Sequence, residues 1–416
     1  MVYHEISFRE MTILNRIALV FISLLIFFLI GESCFRIFKG KEIYLHSITG
    51  LQGEGSQSTL FKPSTSWPLT SSKTGEFDVM VRINNYGFRG KDINLNKDPG
   101  QLRIFVVGDS FAFGVGTGED ETIPYLIEKQ LLSQGYPVEV INAGQGNSSA
   151  LTHYLHLRDI FLRFEPDLIM YLFDFSDLWD DWYAETHIVC DKNGKMLYVD
   201  PTVVNGKTDW WLWMAKHSEF SRWIHNKPVR TFQKIHVLGF KNYVQAKKNK
   251  ERAKAAIVRL KDDESAEKQI EYDGYLFLRG KEKISLIEKN WQRSEKYLDM
   301  FFGLLRDRDI PFVLVDYPYG IHVGSDQWRE GRQYWGFEPD KVYDASFAFG
   351  IVKEYAKKNG IPYIDTLDDF RKNNGRKLFF DLDGHLTPAG NEVLSQSLVN
   401  NPVFRELIDK VSVRRQ

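Results

Sequence analysis

Cysteine is nearly absent from this sequence. Only Cys34 and Cys190 occur among 416 residues. Two thiols cannot build a disulfide scaffold, and they cannot supply the cysteine sets of structural zinc or iron–sulfur sites. A charge excess is also absent, because 54 Lys and Arg stand against 55 Asp and Glu, a formal net charge of −1. A total charge this close to zero gives no general electrostatic attraction to a polyanion, so we expect no nucleic-acid partner.

Long apolar runs are missing, with one exception near the N-terminus. The run Ile17–Ile30 is apolar apart from Ser23. As a helix it would measure about 21 Å, which is less than the roughly 30 Å of a bilayer core. A helix over residues 13–35 would be long enough if Arg16 and Glu32 reached the two headgroup regions.

A cleaved signal peptide is the alternative interpretation of this segment. The residues that follow, Gly31–Cys34, carry an acid where a cleavage site needs small residues. We therefore predict an N-terminal tail over 1–12 and an uncleaved transmembrane anchor over 13–35 in contact with the lipid bilayer. Because long domains are translocated largely regardless of local charge, we expect the bulk of the chain to lie outside the cytoplasm.

In the rest of the chain, the residue composition and the hydrophobic pattern change three times. Residues 36–100 form a predicted juxtamembrane arm, which is rich in Ser, Thr and Gly up to residue 75 and is interpreted there as a linker or loosely packed segment. Residues 101–182 and 286–416 alternate short apolar runs with helical patterns, whereas 183–285 breaks the alternation and is interpreted as an insertion. The five apolar runs are Arg103–Val107, Val138–Ile141, Leu168–Phe173, Phe312–Val315 and Ile361–Asp365.

Strands that alternate with helices predict an α/β fold with a central parallel sheet. Functional sites in such sheets lie beyond the carboxyl ends of the strands. The first such end carries Gly108-Asp109-Ser110. A serine here is exposed at the functional edge, although Asp109 and Ser110 could equally be helix-capping residues. The loop has no lysine for a phosphate-binding loop, and it does not match the G-x-S-x-G elbow.

A second motif lies near the C-terminus, where Asp383-Gly384-His385 precedes the final helical pattern. Thr387 and Pro388 fit the N-cap and first position of that helix. A histidine beside carboxylates is suited to act as a base that an acid holds in one tautomer. Asp381 is the reserve acid, and a surface loop with chance acids is the plain alternative. The spacing does not fit a calcium loop, and we expect no metal or other cofactor.

Taken together, these motifs resemble the SGNH (GDSL-type) hydrolases, whose fold is a flavodoxin-like three-layer α/β/α sandwich. Four blocks carry the resemblance in the family's order: Gly108–Ser110, Asn142–Gly146, Phe173–Asp177 and Asp383–His385. The segment Asn84–Arg89 is similar to one found in membrane-anchored bacterial members. The resemblance therefore implies a bacterial inner-membrane protein with one spanning helix.

The resemblance also implies roles for these residues. Ser110 would be the nucleophile, His385 the base and Asp383 its orienting acid. The oxyanion would be bound by Ser110, Gly144 and Ser176. The supporting residues would be Asp109, Asn142, Asp381 and Asp177.

This sequence departs from the family pattern at two places. Ser176 stands where the family has asparagine, which removes an amide donor. Asp383 lies two residues before His385, whereas the family's acid lies three before, at the position of Leu382. Both changes leave open a non-catalytic scaffold or glycan-binding protein that keeps the fold. The leading hypothesis is a serine esterase or O-acyltransferase whose substrate is a small ester or an acylated, for example acetylated, carbohydrate of the cell envelope.

Overall fold

A computed structural model gives the fold. It describes residues 8–38, 60–71, 75–200, 203–210, 284–334 and 337–413, with isolated positions between 213 and 278. Most of the predicted insertion over 183–285 lies outside the described residues. The described part of it includes two small antiparallel hairpins. Their strands are β6 (Ile188–Cys190), β7 (Met196–Val199), β8 (Val203–Val204) and β9 (Lys207–Thr208).

The centre of the structure is a five-stranded sheet in which every pair of neighbours is parallel. Its strands are β3 (Leu102–Gly108), β4 (Val138–Gly144), β5 (Leu168–Phe173), β10 (Phe312–Asp316) and β11 (Tyr363–Asp365). The spatial order is β11-β10-β5-β3-β4, which is the flavodoxin-like order. All five strands predicted from apolar runs are present, and the predicted parallel sheet is confirmed. Strands β3, β4, β5 and β10 are buried along their whole length, as both-face coverage requires.

The strand order places helices on both faces of the sheet. The chain moves one way from β3 to β4 and the opposite way from β4 to β5, so right-handed crossovers put the connecting helices on opposite faces. The helices of the sheet domain are α2 (Ser110–Phe113), α3 (Ile123–Ser133), α4 (Ala150–Asp159), α5 (Asp177–Thr186), α6 (Ile284–Arg306), α7 (Gly320–Val323), α8 (Gly331–Tyr334), α9 (Ser346–Lys358), α10 (Leu367–Lys372), α11 (Pro388–Asn400) and α12 (Pro402–Val413). In agreement with the strand order, α3 packs on β4 and α11, while α4 and α5 pack on α6.

Part of the predicted juxtamembrane arm is an ordered section of the domain. Strands β1 (Thr65–Thr70) and β2 (Asp78–Ile83) form an antiparallel hairpin. Its inward side chains alternate with exposed ones and join a small buried cluster with Phe113. The Ser/Thr-rich composition suggested a loose linker up to residue 75, but residues 60–71 pack because Trp67 and Leu69 bury their side chains.

The N-terminal segment forms one helix, α1 (Phe8–Phe38), that includes the predicted anchor over 13–35. The membrane-spanning prediction is not borne out: among the residues described, no helix combines the length and apolar character needed to cross a bilayer. The apolar run Ile17–Ile30 of α1 covers about 21 Å as a helix. Its large apolar side chains from Leu19 to Ile30 are nonetheless mostly exposed.

Candidate active site

The first site residue, Ser110, lies where β3 ends and the short helix α2 begins. Asp109 caps this helix, and its Oδ1 accepts the N–H of Phe111 at 2.9 Å. Gly108 is needed at the end of the strand because a Cβ there would lie 2.9 Å from Ala112 Cβ. This tight turn leaves the Ser110 side chain partly exposed while its neighbours are buried. Asp109 therefore performs the capping role that the sequence left open. Its other oxygen, Oδ2, lies 3.1 Å from Ser110 Oγ, so the hydroxyl is held beside the cap.

Ser110 meets the C-terminal motif across the sheet edge. Ser110 Oγ lies 2.8 Å from Nε2 of His385, and His385 Nδ1 contacts Oδ1 of Asp383 at short hydrogen-bond distance. The His385 ring also packs on Phe111, with 4.8 Å between centroids. The structure thus brings the three predicted catalytic residues into one hydrogen-bonded line, the geometry in which a base can take the serine proton.

The charges of this line support one another. Burial lowers the pKa of His385, but the Asp383 carboxylate outweighs it, with Asp109 and Asp174 adding, so the pKa lies above its ordinary value. Burial raises the pKa of Asp383, but the attraction and hydrogen bonds of His385 hold it below its usual range. The Asp383 carboxylate would therefore stabilise the imidazolium that forms when His385 takes the proton of Ser110.

The loop that carries His385 is rigidly built. It turns back on itself, since Phe379 pairs with Leu386 and the Phe380 N–H donates to the His385 carbonyl at 2.9 Å. Gly384 occupies the turn at φ 91°, where a Cβ would lie 2.5 Å from Nε1 of Trp328. These contacts fix the backbone of the loop on which the His385 side chain is carried. The Thr387 side chain caps α11 by accepting the Gly390 N–H, as the sequence predicted.

Asp381, the reserve acid, points elsewhere. Its carboxylate pairs with Lys377 at 2.7 Å, and its carbonyl accepts the N–H groups of Glu330 and Gly331. Asp383 is therefore the acid that contacts His385. The two-residue spacing works because Gly384 allows the sharp turn between them.

The predicted oxyanion donors are arranged differently from the expectation. The Gly144 N–H donates to Oδ1 of Asn142 at 3.1 Å, so it is already engaged. Asn142 also donates from Nδ2 to the Phe113 carbonyl at 3.2 Å, which ties β4 to the end of α2. Gly144 is required for close packing, because a Cβ would lie 2.1 Å from the Phe113 nitrogen. Gly144 and Asn142 thus support the nucleophile turn.

The third block holds Ser176 at the N-terminus of α5. Its N–H donates to Oδ1 of Asp174 at 2.7 Å, and its side chain hydrogen-bonds to the Asp180 carboxyl group. Burial, followed by Asp109 and Asp174, raises the pKa of Asp180 well above its ordinary value. The Ser176 hydroxyl is therefore engaged with an acid in this arrangement.

A buried group of acids surrounds the nucleophile turn. Burial and then Asp174 raise the pKa of Asp109 to about 7. Asp177 is fully buried, its Oδ1 has no hydrogen-bond partner, and burial followed by Asp109 raises its pKa well above the usual range. Among the described residues, no three His, Cys, Asp or Glu side chains are placed to hold a metal ion. Because burial raises the pKa values of Asp109 and Asp177, these two acids are best satisfied by protonation or by hydroxyl donors.

Two of those donors were missed by the sequence analysis. Tyr317 and Tyr319 each donate to Asp174 at 2.5 Å, and Tyr317 also reaches Oδ1 of Asp109 at 3.3 Å. Both tyrosines follow β10. The rule that sites collect at strand carboxyl ends could have identified them.

The segment Asn84–Arg89 also has a structural role at the site. Arg89 is buried, and its guanidinium donates to the carbonyls of Phe113, Gly114 and Thr117 at 2.9, 2.6 and 2.5 Å. A cation at the C-terminal end of α2 is favourable, because the carbonyls there carry partial negative charge. Arg89 therefore helps to hold the helix that presents Ser110.

Comparisons with known proteins give structural neighbours only. No family model and no curated protein matches the chain. An acetyl xylan esterase, AlAXEase, is 15% identical with a TM-score of 0.34, covering 72% of this chain and 98% of its own. An acetylxylan esterase from Geobacillus stearothermophilus is 12% identical with a TM-score of 0.33, covering 74% and 94%.

A lipolytic protein of the G-D-S-L family from Desulfitobacterium hafniense is 14% identical with a TM-score of 0.29, covering 71% of this chain and 97% of its own. At these values the likeness carries no argument about this chain. The argument for its function is therefore made from the geometry of Ser110, His385 and Asp383.

The two candidate acids provide a matched test. Asp383→Asn should lower kcat for a reactive ester by up to about 10⁴-fold, because the imidazole loses the acid that fixes its tautomer. Asp381→Asn should stay within about twofold of wild type, because its exposed pair with Lys377 is worth at most about 1 kcal/mol. Steady-state rates of both purified variants check this. Equal losses in the two variants would contradict the assignment.

The pH dependence follows from the raised pKa of His385. The imidazole acts as a base only when neutral, so kcat/KM should rise with pH along a limb centred above the ordinary histidine value of 6.5. Because the Asp109 pKa is also near 7, the limb reports the cluster as a whole. Asp383→Asn should move the limb to lower pH. A wild-type limb at or below 6.5 would contradict this picture.

Proposed function

We propose that the protein is a serine esterase of SGNH type that removes or transfers an acyl group by way of an acyl-enzyme. The carrying observation is the line from Ser110 through His385 to Asp383, with Ser110 Oγ 2.8 Å from the histidine nitrogen. If Ser110 were only a helix-capping residue, a histidine and a second carboxylate aligned with its hydroxyl would serve no purpose. The four sequence blocks of the SGNH resemblance support the same reaction.

The proposed reaction has two halves. Ser110 Oγ forms a bond to the ester carbonyl carbon while its proton moves to His385 Nε2. The bond from that carbon to the alcohol oxygen then breaks, and the leaving oxygen takes the proton from His385. Water next attacks the acyl-enzyme, gives its proton to His385, and releases the carboxylic acid as Ser110 regains its proton. Asp383 stabilises the imidazolium in both halves.

The oxyanion donors remain part of the proposal. The N–H of Ser110 lies at the start of α2 and is suited to face a developing oxyanion. Ser176 can contribute its hydroxyl if it turns from Asp180. The Gly144 N–H can contribute only if it leaves Asn142, so we expect Gly144 to act mainly through packing.

The proposed substrate is an acylated carbohydrate, such as an acetylated cell-envelope or exported polysaccharide. Exposed aromatic rings suit the apolar faces of sugars. Trp210 is 64% exposed, Trp213 44% and Tyr183 37%, and Tyr183 lies on the helix that follows Ser176. If a sugar hydroxyl replaces water in the second half, the same residues carry out O-acyl transfer.

Release of acetate tests this proposal. Wild type should liberate acetate from p-nitrophenyl acetate and from acetylated xylo-oligosaccharides, and Ser110→Ala should reduce both rates by at least about 10³-fold. Acetate and acetyl-transfer products are quantified together, with an added unacetylated glycan as acceptor. Asp78→Asn, an exposed change on β2, serves as the control. Glycan binding without turnover would instead favour a non-catalytic glycan-binding protein.

We also propose attachment to the bacterial inner membrane, with the catalytic domain on the extracytoplasmic side. The exposed apolar side chains of α1 from Leu19 to Ile30 support it. The full chain should sediment with membranes after a carbonate wash, and a chain lacking 13–35 should not. Protease added to spheroplasts should digest the domain. Recovery of the full chain in the washed supernatant would contradict the proposal.

A further inference from the structure

The carboxylate of Glu76 contacts the loop 379–386, which carries Asp383 and His385 and is called the catalytic loop below. Glu76 lies outside the four sequence blocks of the family resemblance. Glu76 lies just before β2, in the hairpin segment, and its carboxylate accepts two consecutive N–H groups of the loop. Oε1 accepts the Leu382 N–H at 3.0 Å, and Oε2 accepts the Asp383 N–H at 2.9 Å. Asp383 is the residue that contacts His385, so Glu76 binds the backbone of the catalytic acid itself.

Glu76 is itself held in place. Its N–H donates to Ser71 Oγ at 2.6 Å, and the N–H of Phe77 donates to the same oxygen at 3.0 Å. The Phe77 ring packs on Phe380, with 5.2 Å between centroids. Phe380 in turn donates its N–H to the His385 carbonyl. The hairpin thus contacts the catalytic loop through both a carboxylate and a ring.

The opposite side of the loop is fixed by the sheet domain. Trp328 Nε1 donates to the Leu382 carbonyl at 3.4 Å, while Leu382's own N–H goes to Glu76. The peptide groups around Leu382 are therefore held from two sides. Hydrogen bonds that a carboxylate accepts are charge-assisted and are stronger than those between neutral groups.

We propose that Glu76 is a positioning residue for the catalytic acid, through which the N-terminal hairpin sets the alignment of Asp383 with His385. This rests on the proposed function, and it adds to it a dependence on residues outside the four blocks. The two carboxylate oxygens match two donors, so both the charge and the length of the side chain matter. Aspartate keeps the charge but is one methylene too short to reach.

The test compares Glu76→Asp, Glu76→Gln and the control Asp78→Asn in the full chain. The first readout is the pKa of the His385 ring, measured by NMR on protein with labelled histidine and assigned by the signal lost in His385→Ala. The acids acting on this ring are Asp383, Asp109 and Asp174. If Glu76 holds Asp383 in place, both Glu76 variants should lower the His385 pKa, and Asp78→Asn should not.

Glu76→Asp separates position from charge. If the Glu76 charge alone mattered, Glu76→Asp would keep the wild-type His385 pKa and only Glu76→Gln would lower it, which would overturn the proposal. An unchanged pKa in both variants would overturn it as well. Thermal unfolding and one-dimensional spectra restrict the comparison to folded protein.

The second readout is kinetic. Both Glu76 variants should lower kcat about tenfold through misalignment of the base, with KM within about twofold of wild type because Glu76 does not touch the substrate. The acid limb of the pH profile should move to lower pH with the His385 pKa. If wild type hydrolyses no ester, the proposed function fails, yet the NMR comparison still decides the role of Glu76.

Discussion

A hydrogen-bonded line of three side chains, from Ser110 through His385 to Asp383, is the interaction on which the account of this protein depends. Ser110 and His385 are 275 positions apart in sequence and 2.8 Å apart in the structure. That contact exists because β3 and the loop before α11 meet at the carboxyl edge of the parallel sheet. Contacts on both sides of this line hold its members in place.

The nucleophile side is fixed by buried polar contacts. Asp109 caps α2, while Arg89 and Asn142 bind the carbonyl groups at its other end. Burying so many acids beside a serine is costly unless they are protonated or receive hydrogen bonds. Tyr317 and Tyr319 supply such bonds to Asp174, and burial holds the pKa of Asp177 high. The environment of Ser110 is therefore polar, but its net negative charge is smaller than the number of its acidic side chains suggests.

The sheet and the catalytic line could be predicted from sequence because both depend on local patterns. Apolar runs ending in glycine or aspartate located the strands, and parallel strands bring their carboxyl ends together. The choice of Asp383 over Asp381 agrees with the structure, since Gly384 permits the turn. The SGNH resemblance supplied the pairing of two motifs that no spacing rule connects.

Other features could not be predicted, because they depend on packing between distant segments. The Gly144 N–H looked available, but the Asn142 side chain occupies it. Glu76 lies 307 positions before Asp383, with no periodic pattern to link them. The Ser/Thr-rich arm looked loose because its composition hides the alternation of Trp67 and Leu69.

The most direct test of the central claim is labelling with a fluorophosphonate probe, which reacts covalently with an activated serine. Intact and peptide mass spectrometry of the full chain should show one adduct on Ser110. Labelling should be lost in Ser110→Ala and in His385→Ala, and retained in Asp381→Asn. Absence of labelling in folded wild type, or labelling that persists without His385, would contradict the account.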